Sequence, residues 1–210
     1  MYPIPKSSEL VDVLKDNYKE AIKSFSNVIE LNSYFRREMI LGDIDPEVGE
    51  SVEAFIRFFN QVDDDLGLPA EERQPIKIFI DSCGGDLCAT LTMIDAIEAS
   101  KTPIWTINIG SAYSGGFFTL IAGHKRFAYP HASFLFHEGS TATGGTSGQF
   151  ENYTAFYKKQ LASLKDLVIK YTKITDDEYE KIKRDDIWYD TNDAIEKGII
   201  DEVWGKKNGI

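Results

Sequence analysis

The sequence predicts an α/β layer fold on a mostly parallel sheet, and two observations carry that expectation. The β-branched run Ile76-Lys77-Ile78-Phe79-Ile80 meets the turn Ser82-Cys83-Gly84-Gly85, and Leu87, Leu91, Ile94 and Ile97 follow at helical spacing. The same unit then repeats: an apolar stretch at 104–109 meets Gly110-Ser111-Ala112-Tyr113-Ser114-Gly115-Gly116, and a helix runs on through Leu120 and Ile121. Strands that alternate with helices are joined by crossovers, and crossovers make parallel pairs.

The remaining elements read in order. Residues 8–30 form an amphipathic helix: Leu10, Val11, Leu14, Tyr18, Ile22, Phe25 and Ile29 recur at spacings of three and four, with Ser7 or Ser8 as cap. Glu38-Met39-Ile40-Leu41 is a short strand ended by Gly42, and residues 52–62 are a helix with Val52, Phe55, Ile56, Phe58 and Phe59 on its apolar side. A polar loop spans 66–74. Arg126-Phe127-Ala128-Tyr129 and Ser133-Phe134-Leu135-Phe136-His137 are further strands. A segment rich in Gly, Ser and Thr, 139–148, precedes a long helix at 149–171. Its apolar positions include Phe150, Tyr153, Phe156, Tyr157, Leu161, Leu164, Leu167 and Val168. The tail holds an acidic helix at 175–183, the strand Ile187-Trp188-Tyr189, a helix at 192–197 and a last strand at 200–203.

Composition narrows the function classes. With 210 residues, 42% hydrophobic and 27% charged, the chain is long enough for one domain with a sizeable core, expected to span 1–210. The formal net charge of −11 repels nucleic acid and anionic lipid, so neither is an expected partner. Two cysteines, Cys83 and Cys88, are too few for a disulfide framework, lack further ligands for a metal, and suit free thiols in a reducing cytoplasm. No signal-peptide pattern opens the sequence. Residues 102–123 carry no formal charge, but Pro103, Asn108, Ser111 and four glycines interrupt them, so they read as a buried strand, a turn and a buried helix rather than a membrane span.

Four features can carry chemistry. Ser114 stands on a strand-to-helix turn that resembles a nucleophile elbow, Ala112-x-Ser114-x-Gly116, without the full G-x-S-x-G; a serine that merely caps the helix fits equally well. The Ser82-Cys83-Gly84-Gly85 turn presents backbone N–H groups that suit an oxyanion or a phosphate, or it is simply a tight turn. No P-loop or dinucleotide fingerprint is present. Of the three histidines, His124 and His131 fall in surface turns, whereas His137 ends an apolar strand, where a general base can stand. Among 34 Asp and Glu residues, spacing alone selects no third partner.

Taken together and in order, these pieces resemble the proteolytic subunit of the Clp protease from about Arg36 to Val203. Ser82-Cys83-Gly84-Gly85 is similar to the family's Ser-Pro-Gly-Gly, and residues 109–116 to its nucleophile turn. Lys125-Arg126-Phe127-Ala128-Tyr129-Pro130, Phe136-His137-Glu138, Gly148-Gln149 and the segment from Asp186 through Gly198 and Asp201 follow in the family's sequence. The resemblance implies a crotonase-like fold of repeated β-β-α units with a protruding handle, here residues 138–171. Residues 1–35 would be a divergent helical addition.

It implies Ser114 as nucleophile, His137 as general base, Asp186 rather than Asp185 as the orienting acid, and the N–H groups of Gly85 and Gly115 as the oxyanion hole. No metal or organic cofactor is implied. The family also implies stacked heptameric rings that enclose the sites, unfolded protein substrates and an ATP-driven AAA+ unfoldase. Three departures stand out: Cys83 replaces a proline, the connection near 123–126 is shorter, and a helix replaces a flexible N-terminal loop. These suit a divergent or phage-type relative, including a capsid-maturation protease. A non-catalytic ring subunit and a crotonase-like acyl-CoA enzyme rank below.

Overall fold

The computed structural model describes residues 33–205; the helix expected at 8–30 lies outside them. Among the described residues seven strands form one sheet: β1 (Glu38–Leu41), β2 (Ile76–Ser82), β3 (Ile104–Tyr113), β4 (Lys125–Ala128), β5 (Ser133–Phe136), β6 (Ile187–Tyr189) and β7 (Glu202–Val203). The order β1-β2-β3-β4-β7 is parallel throughout. β3 then divides its partners. Trp105 to Asn108 pair with β4, and Ser111 to Tyr113 pair in parallel with β5. β6 closes the second arm antiparallel to β5.

The helices are α1 (Pro46–Asp65), α2 (Leu87–Ala99), α3 (Gly115–Ile121), α4 (Ser147–Tyr171), α5 (Asp176–Ile182) and α6 (Thr191–Glu196), with a 3-10 turn at Ala70–Glu72. α1 begins six residues earlier than its apolar spacing suggests. Asp45 caps it, accepting from Val48 N–H at 2.8 Å, and Pro46 fills the first turn, where no N–H is required. β3 runs four residues further than the apolar stretch indicates. The extension is held by side chains: Asp81 Oδ1 accepts from both the Ser111 N–H (3.0 Å) and the Ser111 hydroxyl (2.6 Å). The turn to the next helix therefore narrows to Ser114 alone. α4 starts at Ser147 because Thr146 and Gln149 form a reciprocal capping box.

α3 is buried along its whole length against β2, β3, α2 and α4. The main core joins Ile78, Ile80, Met93, Phe117, Phe134 and Phe136 with their neighbours. Alternation along β3 sends Ile107 to the opposite face, where it packs with Phe127 and Trp204. The uncharged stretch 102–123 is thus a strand, a turn and a buried helix, as expected. Among the described residues no helix is long and apolar enough to cross a membrane.

His124 lies in an exposed turn, as the sequence suggests, yet its ring is engaged. Nδ1 accepts from the Ile104 N–H at 2.9 Å, and burial pushes the imidazole pKa below its ordinary value, against the opposing bond to the Ile97 backbone. A protonated Nδ1 cannot accept that bond. The unfolded chain therefore binds the proton more readily than the folded one. This contribution to stability is complete above the ordinary imidazole value of about 6.5 and is lost as pH falls through the folded value. Thermal melts from pH 7.5 downward are expected to show a smaller acid-induced drop in Tm for His124→Asn than for the parent chain. Parallel curves would refute this.

Candidate active site

Ser114 follows β3 with φ 52° and ψ −118°, a region that a residue with a Cβ enters only under strain. Its backbone is tied on both sides. The N–H donates to the Leu135 carbonyl at 3.0 Å, and its carbonyl accepts from Phe118 N–H at 3.2 Å. It occupies the N-cap position of α3, but its hydroxyl makes no capping hydrogen bond. The helix-cap alternative left open by the sequence is thereby set aside. Ser114 instead lines a cavity of about 380 Å³.

The divided pairing of β3 brings His137 to the same place. Tyr113 pairs with Leu135, so the chain leaving β3 and the chain leaving β5 emerge side by side. Ser114, His137, Gly85 and Gly115 all line the one cavity. Among the described residues no hydrogen bond joins the Ser114 and His137 side chains; such bonds often tighten only when substrate is bound.

Asp186 arrives by register. In the antiparallel β5–β6 pair, Phe136 faces Ile187, and one further step sets His137 against Asp186. His137 Nδ1 lies 3.6 Å from Asp186 Oδ1, a charge contact longer than a hydrogen bond. The same step count sets Asp185 against Glu138, and the Asp185 N–H is committed to the Ile182 carbonyl. The Asp186 side chain is 66% exposed and that of His137 29%.

The glycine turn faces Ser114 closely. A Cβ on Gly84 would sit 2.7 Å from Ser114 Cβ, and one on Gly85 would sit 1.9 Å from the Ile44 carbonyl oxygen, at φ 149°. No side chain fits at Gly85 without moving the backbone. The N–H groups of Cys83, Gly84 and Asp86 have acceptors: Asp43 Oδ1, Ser82 Oγ and the Ile44 carbonyl. The N–H groups of Gly85 and Gly115 have none among the described residues. These two amides stand close together, since a Cβ on Gly115 would lie 3.6 Å from Gly85 N. Two unpaired donors beside a serine suit a developing oxyanion.

α4 walls the cavity with Tyr153, Phe156 and Tyr157. The Tyr157 pKa is raised, mainly by burial and further by Tyr153 and Glu138. The long helix buries only part of what its apolar spacing promised, with Tyr157, Leu161 and Leu167 half-buried. Leu164 and Val168 are buried, while Phe150 and Phe156 are more than half exposed. Cys83 and Cys88 are free and exposed. Sequence reasoning missed Asp43 and Asp81. Both act on backbone at least 30 residues away, and no local pattern marks such partners.

The chain is similar to known proteins over most of its length. The sequence pattern of the Clp protease family matches residues 44–207. The ATP-dependent Clp protease proteolytic subunit 1 of Corynebacterium jeikeium is 32% identical over 167 residues, covering 72% of this chain and 87% of its own. Proteolytic subunit 2 of Rhodococcus jostii is 29% identical over 163 residues, covering 72% and 84%. Proteolytic subunit 2 of Treponema pallidum is 29% identical over 136 residues, covering 64% and 68%.

Proposed function

Because this chain belongs to the Clp protease family, we propose that it is a serine endopeptidase with Ser114 as nucleophile, His137 as general base and Asp186 as the residue that orients the base. The observation that carries this reading is the strained Ser114 turn, whose hydroxyl is not spent on capping and shares a cavity with His137. Asp186 faces Nδ1 of the imidazole, which leaves Nε2 for the serine proton. Ser114 Oγ attacks the peptide carbonyl as His137 accepts its proton. The Gly85 and Gly115 amides hold the oxyanion, and His137 returns the proton to the leaving amine. Water then repeats the sequence to release the acyl group.

Assembly and partners belong to the same proposal. Residues 1–210 act as one peptidase domain, with 138–171 as the handle. Phe150, Tyr153 and Phe156 expose 52%, 38% and 56% of their surface on one helix, which supports burial against another copy of the chain. The relatives are named proteolytic subunits of an ATP-dependent protease; in the same proposal this chain forms a ring chamber fed with unfolded protein by an ATP-dependent unfoldase, in a cytoplasm that keeps the exposed Cys83 and Cys88 reduced. A mass in solution equal to one chain would refute the ring.

The chemistry is tested by a fluorophosphonate probe. It is expected to add one adduct on the peptide that contains Ser114, with no adduct on Ser114→Ala. Absence of labelling in assembled protein, or labelling at another serine, would overturn the assignment.

A further inference from the structure

The glycine turn is strapped from the side by Asp43 and Ile44. The Ile44 N–H donates to the Gly84 carbonyl at 2.8 Å, and the Asp86 N–H donates to the Ile44 carbonyl at 2.8 Å. Asp43 Oδ1 accepts from the Cys83 N–H at 2.9 Å. Of the four consecutive N–H groups from Cys83 to Asp86, the strap holds two, the Ser82 hydroxyl oxygen accepts from that of Gly84, and the one without an acceptor among the described residues belongs to Gly85. Gly85 has no side chain to hold its own orientation, so the direction of its N–H is set by these neighbours. Two of the strap bonds are backbone to backbone. Only the Asp43 bond is made by a side chain of the strap, and Asp45 is occupied in capping α1.

We propose that Asp43 is a positioning residue for the oxyanion donor. Its carboxylate holds the Cys83 amide, which fixes the turn so that the Gly85 N–H points at the reacting carbonyl. The inference rests on the reading of Ser114 as nucleophile. It gives Cys83 a purpose as well: this residue must present an N–H, because Asp43 is there to receive it. The bond differs from a merely structural one in its consequence. Loosening it moves a donor used in the transition state and leaves substrate contacts elsewhere unchanged.

The test combines kinetics on the assembled enzyme with amide exchange. Asp43→Ala is expected to lower kcat for a fluorogenic peptide at least about tenfold with KM nearly unchanged, since displacing a reacting group by an ångström costs up to about a hundredfold. Asp43→Asn keeps an oxygen acceptor and is expected to retain most of the rate. Exchange of the Cys83 amide is expected to quicken in Asp43→Ala and not in Asp43→Asn. In a Cys83→Pro background there is no N–H to hold, so Asp43→Ala is expected to add no further loss. Unchanged kcat in Asp43→Ala, unchanged exchange, or an equal loss with and without Cys83→Pro would each overturn the proposal. A parent enzyme that the fluorophosphonate does not label would overturn the Ser114 reading and the catalytic role of Asp43 with it. Labelled parent enzyme with a fully active Asp43→Ala variant would overturn this inference alone.

Discussion

His137→Ala is expected to lower kcat for a peptide substrate by about 10⁴- to 10⁶-fold, with the circular dichroism spectrum unchanged. The size follows from the roles proposed for the site. Without a base the Ser114 hydroxyl keeps its proton, and only the oxyanion donors and binding remain to speed the reaction. Asp186→Ala is expected to be less damaging by roughly ten- to a hundredfold, because its effect is exerted through the imidazole. The exposure of the Asp186 carboxylate adds to that difference, since water can take part of its place. Asp185→Ala is expected to stay within about twofold of the parent. Register decides between the two acids: the antiparallel pairing of Phe136 with Ile187 brings only the second to His137. Initial rates with a fluorogenic peptide at saturation measure all three. Equal losses in Asp185→Ala and Asp186→Ala would refute the register argument.

Two parts of the site differ in how far the sequence reveals them. Ser114 and the Gly84-Gly85 turn are legible because both sit where a β-branched run gives way to a helical pattern, and such switches are local. What the serine does is less local. Its φ of 52° is accompanied by an N–H bond to the Leu135 carbonyl, 21 positions along the chain, and its hydroxyl caps nothing. His137 is visible as the end of an apolar strand, but its meeting with Ser114 depends on β3 changing partners halfway. The apolar run alone suggests a strand that stops at 109. Strand continuation through Gly110 and Ser111 needs the Asp81 carboxylate from the neighbouring strand to receive the Ser111 donors. No pattern of hydrophobicity records that help.

The long helix shows the opposite case. Its period is plain in the sequence, and the helix is present at Ser147–Tyr171. Its burial is not, because periodic apolar residues state only that a face wants cover and do not say whose. Near its C-terminal half the cover is this chain's own core, through Leu164 and Val168. Near its start Phe150 and Phe156 are left exposed. The family resemblance, not the period, is what anticipates that split.

Asp63→Ala is expected to be the most destabilising single change that spares the site, by about 3–5 kcal/mol. Asp63 is fully buried near the end of α1 and receives both Nη atoms of Arg37, at 2.6 and 2.8 Å. The Thr102 hydroxyl donates to the same carboxylate at 2.7 Å, and Arg37 reaches the Gln74 carbonyl at 3.0 Å. One pair therefore joins four segments: the approach to β1, α1, the entry to β2 and the entry to β3. Arg37 also carries φ 56°, a strained backbone that its side-chain bonds help to hold. Removing the carboxylate leaves the buried Arg37 guanidinium with the Gln74 carbonyl and the face of Phe59 as partners among the described residues but with no counter-charge there, and the loss is that of an uncompensated buried charge. For a chain of this size Tm is expected to fall on the order of 10 °C. The exposed pair Arg57–Glu53 is the control, and Glu53→Ala is expected to leave Tm unchanged. Removing both charges, as Arg37→Met with Asp63→Leu, is expected to recover much of the stability that Asp63→Ala loses, because neither charge is then stranded. A single Asp63→Ala variant that melts with the parent, or a double variant that melts below the single, would show that the four segments are held by their packing and that the ion pair is incidental.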